Sequence, residues 1–242
     1  MDHTTTPSGT SLEDKTVRDD DRSANLSAGV PAGLARTRRA LHGVAELIMA
    51  GPQYRTSDTI RLRVVAGGFA TVSTPDLRVD GDSLVTEIGD VLPLHGVTYA
   101  ALAEAAGVTA GAPEGLYADG SGADPSESVD VDADAAAHLA HCLARGDTEL
   151  RRLASASGQE MAPVLWPEHF DLGIVIDEVN YGVSLGDSAI GEPYAYVVPW
   201  RPREGDFWNM PFGAARRMAD LGEAGDLAAF LEEGRRRAGD AG

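Results

Sequence analysis

Apolar and polar positions alternate along this chain with two different periods. Leu34, Leu41, Val44, Ala45 and Ile48 recur at helical spacing. That predicts a helix from near Pro31, stopped at Gly51-Pro52. The period then falls to two. Ile60, Leu62 and Val64 alternate with Arg61 and Arg63, which predicts a strand with one apolar face. Further strands are expected at 69–72, 77–79 and 83–88, with turns at Gly67-Gly68 and Asp80-Gly81. Together they read as an antiparallel meander. Residues 99–107 return to helical spacing, with Thr98 as N-cap and Gly107 as terminator.

Residues 111–132 are rich in glycine, proline and acids and read as a surface loop. Helices are expected at 133–145 and, behind Asp147, at 148–156. Extended structure follows at 163–177 and 192–200, then a loop at 202–211 and closing helices at 214–221 and 226–237. Residues 1–30 are polar and acidic without periodicity, the signature of a disordered tail. The pattern predicts an α+β fold: small antiparallel sheet(s) with flanking helices. It divides into a helix and meander part at 31–110, the loop at 111–132, and an aromatic-rich part at 133–242. Whether the two parts share one core is left open by the pattern.

Composition narrows the partners. The 242 residues carry a formal charge of −18, the wrong sign for a phosphate backbone or an anionic membrane surface. Nucleic acid and membrane are therefore not expected as partners. No apolar run is long enough for a membrane helix, and the N-terminus has no signal-peptide pattern, so the cytoplasm is the expected compartment. Lys15 stands alone against 19 arginines, and Ala, Gly and Asp are abundant, a coding bias of GC-rich bacteria. The single cysteine, Cys142, excludes an internal disulfide and a thiolate-rich zinc site.

The candidate chemistry is concentrated late in the chain. If 168–177 is one strand, Phe170, Leu172, Ile174 and Ile176 face the core and His169, Asp171, Val175 and Asp177 face away. His169 and Asp171 are then about 7 Å apart. That spacing could hold a metal ion or an acid–base pair, but a polar, half-exposed strand face is the simpler reading. Gly182-Val183-Ser184-Leu185-Gly186 matches a nucleophile elbow, which needs a strand before it and a helix after it. Loop-like residues follow instead, and the last histidine, His169, precedes the serine. The stretch reads as a glycine-rich turn. His138, His141 and Cys142 read as one surface helix with a buried thiol. Asp130, Asp132 and Asp134 resemble the start of a calcium loop, but Ala135 and His141 occupy the positions that need glycine and glutamate. They read as helix-capping acids.

Aromatic residues carry the strongest signal. Nine of the fourteen lie between 166 and 212, including all three tryptophans. Tyr194, Tyr196, Val198 and Trp200 alternate onto one strand face. Such residues suit a pocket wall or an interface.

The segments WPEHFDLGIVI, NYGVSLGD, EPYAYVVPW and GDFWNMPFG, in that order, resemble an uncharacterised family of bacterial proteins. That family has a Trp-Pro-x-x-Phe-Asp motif and a downstream Phe-Trp. IRLRVVAGGFATV and LRVDGDSLV are similar to its upstream part, so the resemblance spans about residues 35–215. It implies a grouping and no activity.

Three functions fit these residues. The leading one is a small-molecule-binding module with an aromatic pocket in 166–212. Trp166, Tyr194, Tyr196, Trp200 and Trp208 would form the walls, with His169 and Asp171 as polar anchors. The second is a metal-dependent hydrolase in which Glu168, His169 and Asp171, with Asp177 or Asp187, hold a divalent ion. The metal is a possibility of that reading and not the favoured one; no other cofactor is implied. The third is a protein–protein interaction module built on the aromatic patch. Oligomeric state is not legible.

Overall fold

The computed structural model describes residues 31–117, 120–222 and 224–239. The tail expected over 1–30 lies outside the described residues. The first helix does not stop at Gly51-Pro52. α1 (Leu34–Gly43) runs into a π-helical segment, Val44–Ala50, and on into α2 (Gly51–Ser57). Pro52 lies just past the π-helical segment, at the point where the hydrogen-bonding pattern changes back to that of an α-helix. The π segment is buried throughout. Its Glu46, 4% exposed, accepts from the Ser121 amide (2.9 Å) and hydroxyl (2.5 Å), which pins the 111–132 loop to the helix.

Two antiparallel meanders follow. β1 (Leu62–Val65), β2 (Gly68–Thr71), β3 (Leu77–Asp80) and β4 (Ser83–Thr86) form where alternation predicts them, and β5 (Val91–Pro93) adds a short edge. The second meander is β6 (Val164–Trp166), β7 (Asp171–Ile176), β8 (Val179–Ser184), β9 (Tyr194–Pro199) and β10 (Ala214–Arg217). Leu62 of β1 pairs with Leu165 of β6 and joins the two. The result is one ten-stranded sheet in the order β10-β9-β8-β7-β6-β1-β2-β3-β4-β5. The fold is α+β, and its sheet is large where small sheets were expected.

Two segments depart from their local reading. Gly182 to Ser184 is the interior of β8 and not a turn. The β7–β8 turn falls earlier, at Asp177 and Glu178, whose φ of 51° and 62° are those of a primed hairpin turn. Residues 214–217 form an edge strand and not a helix. They pair with β9, and Asn209 clasps Ala215 from outside, its Nδ2 donating to the carbonyl (3.2 Å) and its Oδ1 accepting from the amide (3.0 Å).

The helical layer lies on one face of the sheet. α3 (Tyr99–Ala105) begins at Thr98, whose hydroxyl accepts from the Ala101 amide at 3.1 Å. α4 (Ala133–Ala156) is one helix of 24 residues and not two. Asp132 caps it, accepting from the Ala135 amide at 2.9 Å. Asp147 does not start a new helix; it pairs along the same one with Arg151 at 2.8 Å. Gly146 lets α4 approach the sheet: a Cβ there would come within 2.8 Å of Val183. α5 (Ala224–Gly239) approaches β9 in the same way, through Gly234 against Val197. One apolar cluster unites these helices with Leu62, Phe69, Leu77 and Leu84 of the first meander and Leu165, Leu172, Ile174 and Val183 of the second. Among the described residues no helix is long and apolar enough to cross a membrane.

Candidate functional site on the open face of the sheet

Side chains that alternate with these core residues point away from α4 and α5. On the second meander the strand register sorts them into rows. Trp166, Asp171, Ser184 and Tyr194 are successive partners across β6 to β9. Val164, Gly173, Gly182 and Tyr196 form the next row, and Val175, Asn180 and Val198 the third. Tyr196 lies across the two glycines. A Cβ on Gly182 would fall 2.3 Å from its phenol, and one on Gly173 3.0 Å from its hydroxyl. Its hydroxyl thereby reaches β7 and donates to Asp171 Oδ2 at 2.5 Å.

Tyr194 makes a parallel contact, donating to Asp187 Oδ2 at 2.6 Å. Its ring centroid is 6.3 Å from that of Tyr196, inclined at 56°. Ser184 is buried and its hydroxyl accepts from the Gly186 amide at 3.1 Å. A loop and then β9 follow it, so no elbow forms.

The two carboxyls on these tyrosines differ in electrostatics. Burial pushes Asp171 above the usual carboxylate range, against the opposing pull of the Tyr196 hydrogen bond and of His169. Burial also pushes at Asp187, but the hydrogen bonds from Tyr194, Ile190 and Ala189 outweigh it and hold that carboxyl below its ordinary value. Tyr196 is raised well above an ordinary phenol by burial and then by Asp171. Both phenols stay neutral donors near neutral pH.

The remaining predicted residues are dispersed. His169 does not share a strand face with Asp171, because Phe170 takes a left-handed φ of 51° and the strand begins only at Asp171. His169 lies exposed in the preceding turn and Glu168 beside it is part-buried. The expected 7 Å pair on one strand is therefore not formed. Phe170 lies in the core as expected, stacked on His42 at 5.3 Å and edge-on to Phe69 at 5.4 Å. Among the described residues no three His, Cys, Asp or Glu side chains come together in a metal-holding group. Glu168, His169 and Asp171 thus supply no donor set.

Trp166 stands on the open face with the Arg61 guanidinium 5.7 Å from its ring. Trp200 lies beyond the end of β9 and is 61% exposed. Trp208 packs edge-on to Phe207 at 4.9 Å, and Phe207 leans on Phe230 of α5 at 5.5 Å. Trp208 therefore belongs to the rim of the helical core. The shared face holds Trp166, Asp171, Tyr194 and Tyr196 of the residues singled out from sequence. It also holds Gly173, Gly182, Ser184 and Val175, whose place depends on cross-strand pairing.

A cavity of about 10 Å³ lies elsewhere, lined by Leu41, Phe69, Leu139 and Phe170 among others. It has room for about one water. Cys142 is 2% exposed, and burial pushes its thiol up to about 12, which leaves it inert. His138 is its neighbour, with Nε2 3.8 Å from the sulfur. Comparison of the chain with protein-family models, curated proteins and solved structures gives no match.

Proposed function

We propose that this chain is an interaction module whose docking surface is the open face of β6 to β9. One observation carries the reading. Asp171 is the only outward side chain on these four strands that carries a charge when ionised; the others are Trp, Tyr, Val, Gly, Ser and Asn. A solvated face of an antiparallel sheet is ordinarily polar and charged. Depletion of charge with enrichment of Tyr and Trp is the composition of a protein interface centre. Val175, 44% exposed, and Trp200, 61% exposed, extend the apolar area. A small organic ligand is the other occupant that suits these aromatics. Such sites are usually concave and enclose roughly 300–1,000 Å³; here Tyr194 and Ser184 are already buried within the chain while Val175 and Trp200 stand exposed, which suits a partner surface better.

The test is photo-crosslinking in producing cells from a benzoyl-phenylalanine placed at position 175. The same group at position 72, an exposed valine outside the face, serves as control. Discrete adducts from 175 alone are expected, and Tyr196→Ala should remove them. An adduct of twice the chain mass would identify the partner as a second copy. Equal adducts from both positions, or none from 175, would sink the proposal. Val175→Glu should also abolish partner binding while changing stability by no more than about 0.5 kcal/mol, as read by urea denaturation.

A further inference from the structure

Resting on that reading, we infer that the partner presents an arginine side chain to Asp171. Tyr196 occupies Asp171 Oδ2. Oδ1 takes no hydrogen bond from another described residue and is not sealed from solvent. Among the described residues no arginine or lysine forms a salt bridge with this carboxyl; His169 pulls on it and Asp187 opposes it. Two acids around the sheet have such a partner, Glu192 with Arg217 at 3.3 Å and Glu178 with Arg201 at 4.0 Å. Asp171 is already largely buried; a protein docked over this face would remove the solvent that still reaches Oδ1, and an unpaired buried carboxylate is strongly unfavourable. Complementarity therefore calls for a cation on the partner.

The surroundings favour a guanidinium over an ammonium. Trp166 is the cross-strand neighbour of Asp171. It already takes one guanidinium, that of Arg61, over its ring. A planar fork pairs with a carboxylate edge through two donors while its face stacks on a neighbouring ring; a compact ammonium makes the same two contacts without the bidentate fit. The loops bordering the face carry Glu168, Asp177, Glu178, Asp187 and Glu192, and the whole chain has a charge of −18. That field steers a basic segment toward the face.

The experiment is a ¹H–¹⁵N correlation titration of the full chain with Nα-acetyl-arginine amide. The citrulline analogue serves as neutral isostere, and Nα-acetyl-lysine amide as the other cation. Saturable shifts are expected at the amides of Asp171, Gly173, Gly182 and Ser184. They should be at least tenfold weaker with citrulline, intermediate with lysine, and lost in Asp171→Asn. That variant keeps an acceptor for Tyr196, and its dispersed spectrum reports folding; Tyr196→Phe is the second variant, in which the shifts should persist. Equal shifts with citrulline, shifts that survive in Asp171→Asn, or no shifts at these amides would overturn the arginine assignment. The two readings fail separately. Crosslinks from position 175 without an arginine response overturn the assignment alone; an arginine response without crosslinks overturns the partner surface.

Discussion

Beside and along β1 to β3 the outward positions carry Arg61, Arg63, Arg78 and Asp80, all exposed, with Val65, Gly68 and Ala70 between them. On β7 to β9 the equivalent positions carry glycines, tyrosines, valines, Asn180, Ser184 and Asp171. Both meanders lean on the same helical layer and share one core, so the inner face cannot explain the difference. The first meander is finished as a solvated surface. The second carries one carboxyl among aromatic, aliphatic and small side chains, the composition on which the proposed docking surface rests. Glycine use differs in the same sense. Gly67 and Gly81 occupy turns with φ of 81° and 60°, whereas Gly173 and Gly182 lie within strands and leave space for Tyr196.

The comparison breaks most visibly at Gly182. A valine there would drive a Cβ to 2.3 Å from Tyr196 and 2.4 Å from the Leu172 carbonyl. The expected loss is about 3 kcal/mol, measured by urea denaturation, together with release of Tyr196 from Asp171. Gly81→Ala, in an open turn, should lose only about 1 kcal/mol, from its left-handed φ. Similar losses at both sites would mean that the strand glycine has no special role.

A smaller effect is expected at the edges. β5 is short and ends in Pro93, which lacks an N–H to offer a new strand. β10 is longer, and the Asn209 clasp guards it. Asn209→Ala should lose about 1–2 kcal/mol for two hydrogen bonds and gain concentration-dependent association in sedimentation velocity. A variant that stays monomeric at all concentrations would show that the clasp is not an edge guard.

The smallest effect sharpens the contrast electrostatically. The groups facing Asp171 are Tyr196 and Tyr194 from β9, His169 from the turn, and Asp187 from the β8–β9 loop. Its folded value lies above the ordinary 3.8, so the folded state holds this proton more tightly than the unfolded state. Stability from this group is fully present below the unfolded value and is lost as pH rises through the folded one. Asp171→Asn should therefore raise the Tm by a few degrees at neutral pH, with the gain vanishing toward pH 3.8. Thermal melts across pH 3–7 would check this. An equal gain at every pH would remove the electrostatic explanation.

Much of the fold was legible because its causes are local. Leu172, Ile174 and Ile176 alternate, and they are buried on one face. Thr98 and Asp132 cap the helices that follow them. Local reading failed where a distant surface outvoted a neighbour. Gly146 and Asp147 look like a break, yet α4 runs through them because the glycine packs on Val183. Gly182-Val183-Ser184 looks like a turn, yet β7 and β9 flank it on both sides. Residues 214–217 have a helical composition, yet the free edge of β9 captures them.

The site divides in the same way. Tyr194 and Tyr196 were marked by alternation and Asp171 by its place beside an apolar strand, and each stands on the open face. His169 was misplaced, since β7 begins only at Asp171 and the left-handed φ at Phe170 leaves His169 in the turn before it. The Tyr196–Asp171 bond spans 25 positions, and no periodicity within one segment encodes it. Sequence by itself determined most of the elements, their inward faces and the aromatic richness of the second half, because those follow from side chains a few residues apart. Only the tertiary structure decided which aromatics meet, why two strand positions must be glycine, and that this face is left without a helix over it. Those outcomes depend on the register between strands and on which side of the sheet the helices pack.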